Sequence, residues 1–590
     1  MPYKSKKESF KIFLLYIKSF AGFCRYKLLF LVMLTALSSI GQGIGIFMLI
    51  PFLQIFGLGT NRNDMSLNSV TNYLLKTLNF IGLPLTIGSV LFCYFILTVL
   101  IKYINYRQNL LNTTLQNQFT SSLRCDLFKS IIFAEWNFIA QLKSSNIAHV
   151  ITSDIPRVST GTFFFMKALI GITVAFFYIL WALMISAKLT FFALLVFCAT
   201  FYLLKSHLPE SFQKGATARN ALSGIYSILL DHINGLKIAK SYCLEKEEYQ
   251  NFVKLNEEIS ATSLSSSMLN SRTNMIFTIT TSFFLCVYLY LAMNVFQIGA
   301  ERVLLLILIF SRLAPCFLEL LTSSQHILGM FPSFLAMKSL QHDSDRHREL
   351  SNHTQDTNSN KMSLSESIKL ENINFSYGNE SEFELNGITL EIPAGKITAL
   401  IGHSGSGKST IADLISGMLK PDSGAIKVDD TVISKENLYK WKRAIGYMPQ
   451  EIFLFHDTIR NNLIKGNPDV KDEEIFEALR LSSAYDLVMS MNKGLDTVVK
   501  DRGLRLSGGE RQRISLSRTI LRKPSLLILD EATSALDVGN EKKILEAIKQ
   551  LRGKYTLLII SHKPSILNFA DKVINLKNGK ILNVIDNSLD

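Results

Sequence analysis

Large apolar residues dominate the chain from Leu28 to about residue 328, then break into short runs separated by polar turns. A helix needs roughly 20 apolar residues to cross the hydrocarbon core of a bilayer. Six stretches are long enough: one within 28–57, one within 82–106, and others near 161–186, 189–205, 273–296 and 302–325. Only Ala187–Lys188 separates the third from the fourth. The segments 107–160 and 206–272 are charged, mostly helical in period and poor in proline, so they are predicted to continue neighbouring helices out of the membrane. Residues 341–363 almost lack large apolar side chains and cannot build a core. Beyond 364 the period shortens. "KITALI" (396–401), "SLLILD" (525–530) and "YTLLII" (555–560) are runs of the kind that form strands buried on both faces. The predicted organisation is a cytoplasmic N-terminal segment (1–27), an α-helical polytopic membrane domain of six transmembrane helices with long cytoplasmic extensions (28–328), a linker (329–363) and an α/β domain (364–590).

Charge supports this layout. The net charge is +14, but Lys4, Lys6, Lys7, Lys11, Lys18, Arg25 and Lys27 precede the first apolar run against the single acid Glu8. That is the flank of a membrane helix on its cytoplasmic side rather than a nucleic-acid patch, and no nucleic-acid partner is expected. An even number of spans returns the chain to its starting side, so the N-terminus and the α/β domain are both expected in the cytoplasm. The loops then left outside, 58–81, 187–188 and 297–301, carry little basic charge. A bacterial inner membrane suits this bare fused arrangement. The first apolar run is too long for a signal-peptide core. The seven cysteines form no CxxC pair and none lies beyond residue 316, which argues against a zinc site or a disulfide framework.

The α/β part carries the chemistry. "GHSGSGKST" (Gly402–Thr410) follows the strand KITALI and opens the apolar helix pattern "IADLISGML". Strand, glycine loop and helix together make a P-loop, so this domain is predicted to be a P-loop NTPase binding ATP and Mg²⁺. Gly402, Gly405 and Gly407 let backbone N–H groups turn toward phosphate oxygens, with Ser404, Ser406 and Thr410 in the same cradle. Lys408 is placed to reach the β- and γ-phosphates and Ser409 to ligate Mg²⁺. The strand SLLILD ends in Asp530, suited to a water-mediated Mg²⁺ contact, and Glu531, suited to polarising an attacking water. His562 ends the strand pattern YTLLIISH (555–562) on the same predicted edge, where ligands of open α/β sheets gather, and is read as a γ-phosphate contact. A second anion cradle lies in "LSGGERQRISLSR" (506–518), where Ser507, Gly508 and Gly509 open a helix.

With these motifs, the chain resembles an ATP-binding cassette half-transporter of the exporter type, in which six spans are fused to one C-terminal cassette. "LSGGERQR" matches the signature motif of that family. "MPQEIFLF" (448–455) resembles its Q-loop, with Gln450 as a catalytic and Mg²⁺-contacting residue. "SALD" (534–537) resembles its D-loop, with Asp537 at the nucleotide, and "FSYG" (375–378) resembles its A-loop, with Tyr377 stacking on adenine. "KDRG" (500–503) carries Asp501 where that family usually has Glu. The resemblance implies that the signature loop of one copy binds the γ-phosphate held by a second cassette. Both half-sites are intact here, so a homodimer is expected. It further implies that each cytoplasmic excursion ends in a short transverse helix docking on a cassette, expected near Trp136–Ser144 and near Arg219–Tyr226. The function so implied is ATP-driven export or flipping of an amphiphilic substrate by alternating access within membrane lipid: a lipid or lipid-linked compound, a hydrophobic drug, or a peptide. No leader-peptidase domain is expected before the first span, and a peptide cargo is expected to be matured elsewhere. The alternative is a non-transporting membrane ATPase such as an ATP-gated channel or sensor. In the sixth span Arg312 and Glu319 are seven apart and share a helix face. They read equally as a cavity contact or as a structural pair. Gln42, in "GQGIG" (41–45), is a weaker candidate for cargo contact beside close helix packing.

Overall fold

A computed structural model describes residues 6–48, 87–296, 300–349, 361–377, 383–500, 503, 506–532, 538–561, 563–567 and 569–587. Two compact units emerge from the packing: residues 1–133 with 141–346, and residues 134–140 with 347–590.

The first unit is helical: α1 (Lys6–Phe47), α2 (Ile87–Ile132), α4 (Ser144–His149), α5 (Ile155–Ile185), α6 (Ala187–Leu204), α7 (His207–Ser241), α8 (Glu245–Tyr290) and α9 (Ala300–Arg346). The short α3 (Trp136–Gln141) begins in the second unit and ends in the first. Six of the helical segments are long and apolar enough to cross a membrane, one for each predicted span. α2 and α8 have 46 residues each, about 69 Å at 1.5 Å per residue, against a hydrocarbon core of about 30 Å. Their polar ends therefore extend beyond lipid, as the charged segments 107–160 and 206–272 predict.

Three boundaries differ from the sequence reading. α1 starts at Lys6, within the expected N-terminal segment, because Tyr16, Phe20 and Cys24 fall four apart and are buried. Tyr16 and Phe20 meet Phe165 of α5 edge-on at 5.5 and 5.7 Å. Arg25, with φ 31°, breaks the helix between this amphipathic part and the apolar run. At the other end, α9 runs to Arg346, so much of the expected linker is helix. Met330, Phe331, Phe334, Met337 and Leu340 keep a helical spacing there and are buried. Finally, Arg219–Tyr226 is not a transverse helix but the middle of α7. Arg219 Nε donates to the fully buried Asp154 Oδ2 at 3.0 Å, and Thr152 Oγ1 donates to Tyr226 OH at 2.8 Å. The chain reverses at Tyr242–Leu244, leaving Ile233, Leu236, Ile238 and Tyr242 exposed near that end.

The second unit is α/β. Its main sheet holds β3 (Ile397–Gly402), β6 (Ile445–Met448), β9 (Leu526–Asp530), β10 (Thr556–Ile560), β11 (Lys572–Lys577) and β12 (Lys580–Asp586), in the order β12-β11-β3-β10-β9-β6. All pairings are parallel except the edge pair β11–β12. A four-stranded antiparallel sheet, β2-β1-β4-β5, is built from β1 (Ser367–Ser376), β2 (Glu384–Pro393), β4 (Ser423–Val428) and β5 (Thr431–Val432), and β7 (Asp457–Thr458) pairs with β8 (Val498–Val499). The helices are α10 (Lys408–Ile415), α11 (Leu438–Ala444), α12 (Ile459–Leu463), α13 (Asp472–Leu481), α14 (Tyr485–Met489), α15 (Gly508–Leu521), α16 (Val538–Leu551) and α17 (Pro564–Leu567). Alternate residues of one strand feed two cores: Leu527 and Leu529 of β9 enter one, Leu526 and Ile528 the other. That is why these strands read as unbroken apolar runs.

Candidate functional site

The site forms where β3 leaves the sheet. Gly402 ends that strand with φ 152°, and a Cβ there would lie 2.2 Å from Leu576 O on the neighbouring β11. Gly407 opens α10 in the left-handed region at φ 102°, and its Cβ would meet Leu385 and Phe383 at 2.7 and 2.8 Å. No other residue lets the chain turn this tightly against the sheet. Lys408 follows at the helix start, and its Nζ donates to Gly402 O and His403 O at 2.9 Å each. Burial pulls its ammonium below the ordinary lysine range, and the Glu531 and Asp530 carboxylates act in the opposite sense. Ser404 and Gly405 are exposed at the loop tip, whereas Ser406 is buried with its hydroxyl unpartnered.

β9 delivers the acids. Asp530 is buried and accepts a hydrogen bond from Ser409; its Oδ1 has no partner. Burial raises its carboxyl above the usual range, the Ser409 bond lowers it and Glu531 raises it again. Glu531 takes φ 50° as the strand ends, and its N–H donates to Ile560 O at 3.0 Å. Gln450, two residues beyond β6, donates through Nε2 to Glu531 Oε2 at 2.6 Å. Tyr377 is 42 % exposed, its ring edge-on to Phe375 at 5.0 Å and its hydroxyl sharing a 3.1 Å hydrogen bond with Thr410 Oγ1.

These are the features a nucleotide with Mg²⁺ requires: a lysine folded over the loop's own carbonyls, an unmet buried carboxylate oxygen, an unmet buried hydroxyl and an open aromatic face. A native fold leaves few buried polar atoms unpaired, and here two of them cluster with Lys408. The structure thus brings together Tyr377, the loop Gly402–Thr410, Gln450, Asp530 and Glu531. His562 and Asp537 lie outside the described residues.

Sequence reasoning missed Asp413. It lies on α10 and accepts a hydrogen bond from Tyr447 OH of β6 at 3.1 Å. Burial pushes its carboxyl up to about 6, against the lowering effect of that bond, with Asp530 adding a smaller upward push. The signal was present as an acid on the otherwise apolar face of IADLI.

The second cradle is built as a helix cap. Ser507 accepts from Glu510 N at 3.3 Å, and Glu510 Oε2 accepts from Ser507 N at 2.8 Å, a reciprocal capping box opening α15. The N–H groups of Gly508 and Gly509 occupy the first two helical positions, which have no intrahelical acceptor. Gly508 is exposed, with open space where a Cβ would be. Among the described residues, no hydrogen bond joins Ser507, Gly508 or Gly509 to the loop Gly402–Thr410.

Other predicted positions also resolve. Residues 134–140 pack with the second unit: Glu135 N donates to His347 O at 2.8 Å, and Phe138 stacks on His347 at 4.6 Å. Glu319 pairs with Lys167 of α5 at 2.5 Å rather than with Arg312, which is exposed in the single chain. Gln42 is held between Tyr178, whose hydroxyl donates to Oε1 at 2.7 Å, and Ser38.

Comparison with known proteins gives a consistent result. A family profile described as "ABC transporter" matches residues 385–534, and one described as "ABC transporter transmembrane region" matches residues 31–314. The chain is 30 % identical over 498 residues to the heterocyst differentiation ATP-binding protein HepA of Nostoc sp., covering 81 % of this chain and 78 % of that protein. It is 28 % identical over 492 residues to the ATP-dependent lipid A-core flippase of Syntrophus aciditrophicus, covering 81 % and 79 %. Among solved structures, a bacterial Atm1-family ABC exporter with ATP bound superimposes with a TM-score of 0.76 at 20 % identity, over 96 % of each chain.

Proposed function

This chain belongs to the ABC transporter family as an exporter-type half-transporter, an ATPase coupled to transport, and we propose that two copies of it together move an amphiphilic substrate across a membrane. The observation that carries the reading is the Gln450–Glu531 hydrogen bond at the mouth of the P-loop, in a chain that also holds six membrane-length helices. Glu531 is the group that polarises the attacking water, and Gln450 holds its carboxylate in place. Lys408, Ser406 and the loop N–H groups bind the β- and γ-phosphates, Tyr377 stacks on adenine, and His562 and Asp537 complete the γ-phosphate environment. Mg²⁺, when held by Ser409, Gln450 and Asp530, supplies charge neutralisation on the phosphates. The free N–H groups at Gly508 and Gly509, with Ser507, bind the γ-phosphate held by the other copy.

Joining two cassettes through nucleotide favours one arrangement of the spans, and hydrolysis releases it. ATP shifts that equilibrium only by its preference for the joined state, and a shift from 1:99 to 99:1 needs about 5.5 kcal/mol of such preference. The likeness to a lipid A-core flippase supports an amphiphile as cargo. The basic flank before the first apolar run supports a cytoplasmic N-terminus and cassette, and a bacterial inner membrane is the proposed location.

Glu531→Gln in the reconstituted full-length protein tests this. It keeps the shape and the partner of the side chain but removes the base. ATP is expected to bind normally while turnover drops at least about 100-fold, trapping the joined state. Mass spectrometry of compounds lost from this variant on adding ATP then reports the cargo. Hydrolysis at the parental rate sinks the assignment.

A further inference from the structure

Helices α5, α7, α8 and α9 line a partly open cavity of about 250 Å³ in the first unit, in which a few polar groups interrupt a mainly apolar surface. Its level follows from the sequence. The apolar stretch of α5 begins near 161, that of α8 near 273, and that of α9 ends near 325, while the cavity is lined by Arg157 and Thr160, Asn270, and Gln325 at those ends. It therefore lies where lipid gives way to headgroups, at the end of α9 that leads on to the cassette. α7 adds Ser211 and Lys214.

The lining is one-sided in charge. Arg157 and Lys214 bring two cations, and among the described residues no aspartate or glutamate lines the cavity. Two carboxylates outside the lining temper this field: Glu210 is 3.0 Å from Lys214 Nζ, which also donates to Ser265 O at 2.6 Å, and Asp154, bonded to Arg219, also bears on Arg157. Arg157 itself has no hydrogen-bond partner among the described residues, so its planar fork of donors is unspent. Gln325 is only 3 % exposed. Its Nε2 donates to Thr273 Oγ1 at 3.0 Å while its Oε1 has no partner, so a buried amide on the cavity wall carries an unmet group. Such a group is paired by ordered water or by ligand in a native structure.

We infer that this cavity binds the phosphate group of an anionic amphiphile drawn from the adjoining leaflet, an inference that rests on the amphiphile reading above and narrows it. Arg157 engages two phosphate oxygens through its guanidinium fork, Lys214 adds a point charge and Asn270 supplies a further donor. The hydroxyls of Ser211 and Thr160 donate to His207 O and Pro156 O, and serve as donors to the phosphate only on turning away from those carbonyls. Gln325 Oε1 accepts from the P–OH of a monoester or from a headgroup hydroxyl. Leu269 and Met330, also in the lining, begin the apolar wall along which a tail runs. A cationic amphiphile finds no carboxylate there.

The test is binding to the full-length dimer in phosphatidylcholine nanodiscs without nucleotide, with dodecyl phosphate, dodecyltrimethylammonium and inorganic phosphate as probes. Dodecyl phosphate is expected to bind and the cationic probe not to. Arg157→Gln and Lys214→Gln should each weaken dodecyl phosphate at least tenfold, and Lys214→Arg should hold it within about threefold. Lys214→Gln keeps the test sound if Arg157→Gln disturbs the buried Asp154 behind it. Weak binding of inorganic phosphate supports the amphiphile as source. Equal binding supports the anion site but assigns it to the free ion. Parental affinity in both glutamine variants, or equal binding of the cationic probe, overturns the inference. Because no ATP is present, failure here is separable from failure of the Glu531→Gln trap.

Discussion

At the scale of single residues, Asp413 is the side chain whose environment has the clearest measurable consequence. Its carboxyl sits at about 6, raised from an ordinary value of 3.8 chiefly by burial. A carboxyl with a raised folded-state pKa keeps its proton in the fold while the unfolded chain has released it. Stability is therefore lost as pH rises from about 4 to about 6, and the cost is constant above that. Asp413→Asn keeps an acceptor for Tyr447 and removes the titration. The melting temperature of the cassette transition in Asp413→Asn should match the parent near pH 4 and exceed it at pH 7.5. A gap that stays flat across that range contradicts the assignment. The same contact explains what sequence could and could not show here. GKST announces its chemistry because phosphate binding needs those residue types at that spacing. The Asp413–Tyr447 bond joins α10 to β6, 34 residues apart, and no local pattern encodes it.

At the scale of elements, the six spans and the three motif-bearing strands were readable because each is a long or doubly buried apolar run. What was not readable lies where amphipathic helices start, stop or reverse. The first turns of α1 are held by Tyr16, Phe20 and Cys24 among lysines, where the longest continuous apolar run, residues 12–17, is far too short to cross a membrane. The reversal between α7 and α8 uses Cys243 at φ 56°, with no glycine or proline to mark it, so the tip of that hairpin was placed too early in the chain. The misplaced segment has a different role: Arg219 ties α7 to the five-residue π-helical turn Val150–Asp154 that joins α4 to α5. Asp154 is fully buried, and removing Arg219 takes away the cation hydrogen-bonded to it, leaving only His149 at 3.5 Å and the field of Arg157. Arg219→Ala should cost about 3 kcal/mol of stability, read as a lowered melting temperature of the membrane unit. Arg219→Lys should recover part of it. A thermally neutral Arg219→Ala shows that Arg157, which also bears on Asp154, suffices by itself.

At the scale of the whole molecule, the decisive question is why one chain carries two candidate anion cradles. The composite site proposed above would answer it, with the loop of Lys408 from one copy closed by Ser507–Gly509 of the other. Two variants separate this from a site complete within one chain. Lys408→Ala disables the loop, and Ser507→Arg fills the exposed space before Gly508 with a bulky side chain. A dimer of either variant alone has a defect in both composite sites and should hydrolyse ATP at background rate. In a mixed dimer, the loop of the Ser507→Arg copy faces the intact signature of the Lys408→Ala copy, so one sound site reappears while the other collects both defects. Random pairing of equal amounts makes half the dimers mixed, each with one of two sites working, so activity should return to about a quarter of the parent. If each chain hydrolysed ATP by itself, every copy in the mixture would still be damaged and mixing would restore nothing. Recovery on mixing, read as ATP turnover in proteoliposomes, thus distinguishes a shared motor from two independent ones without any assumption about what it carries.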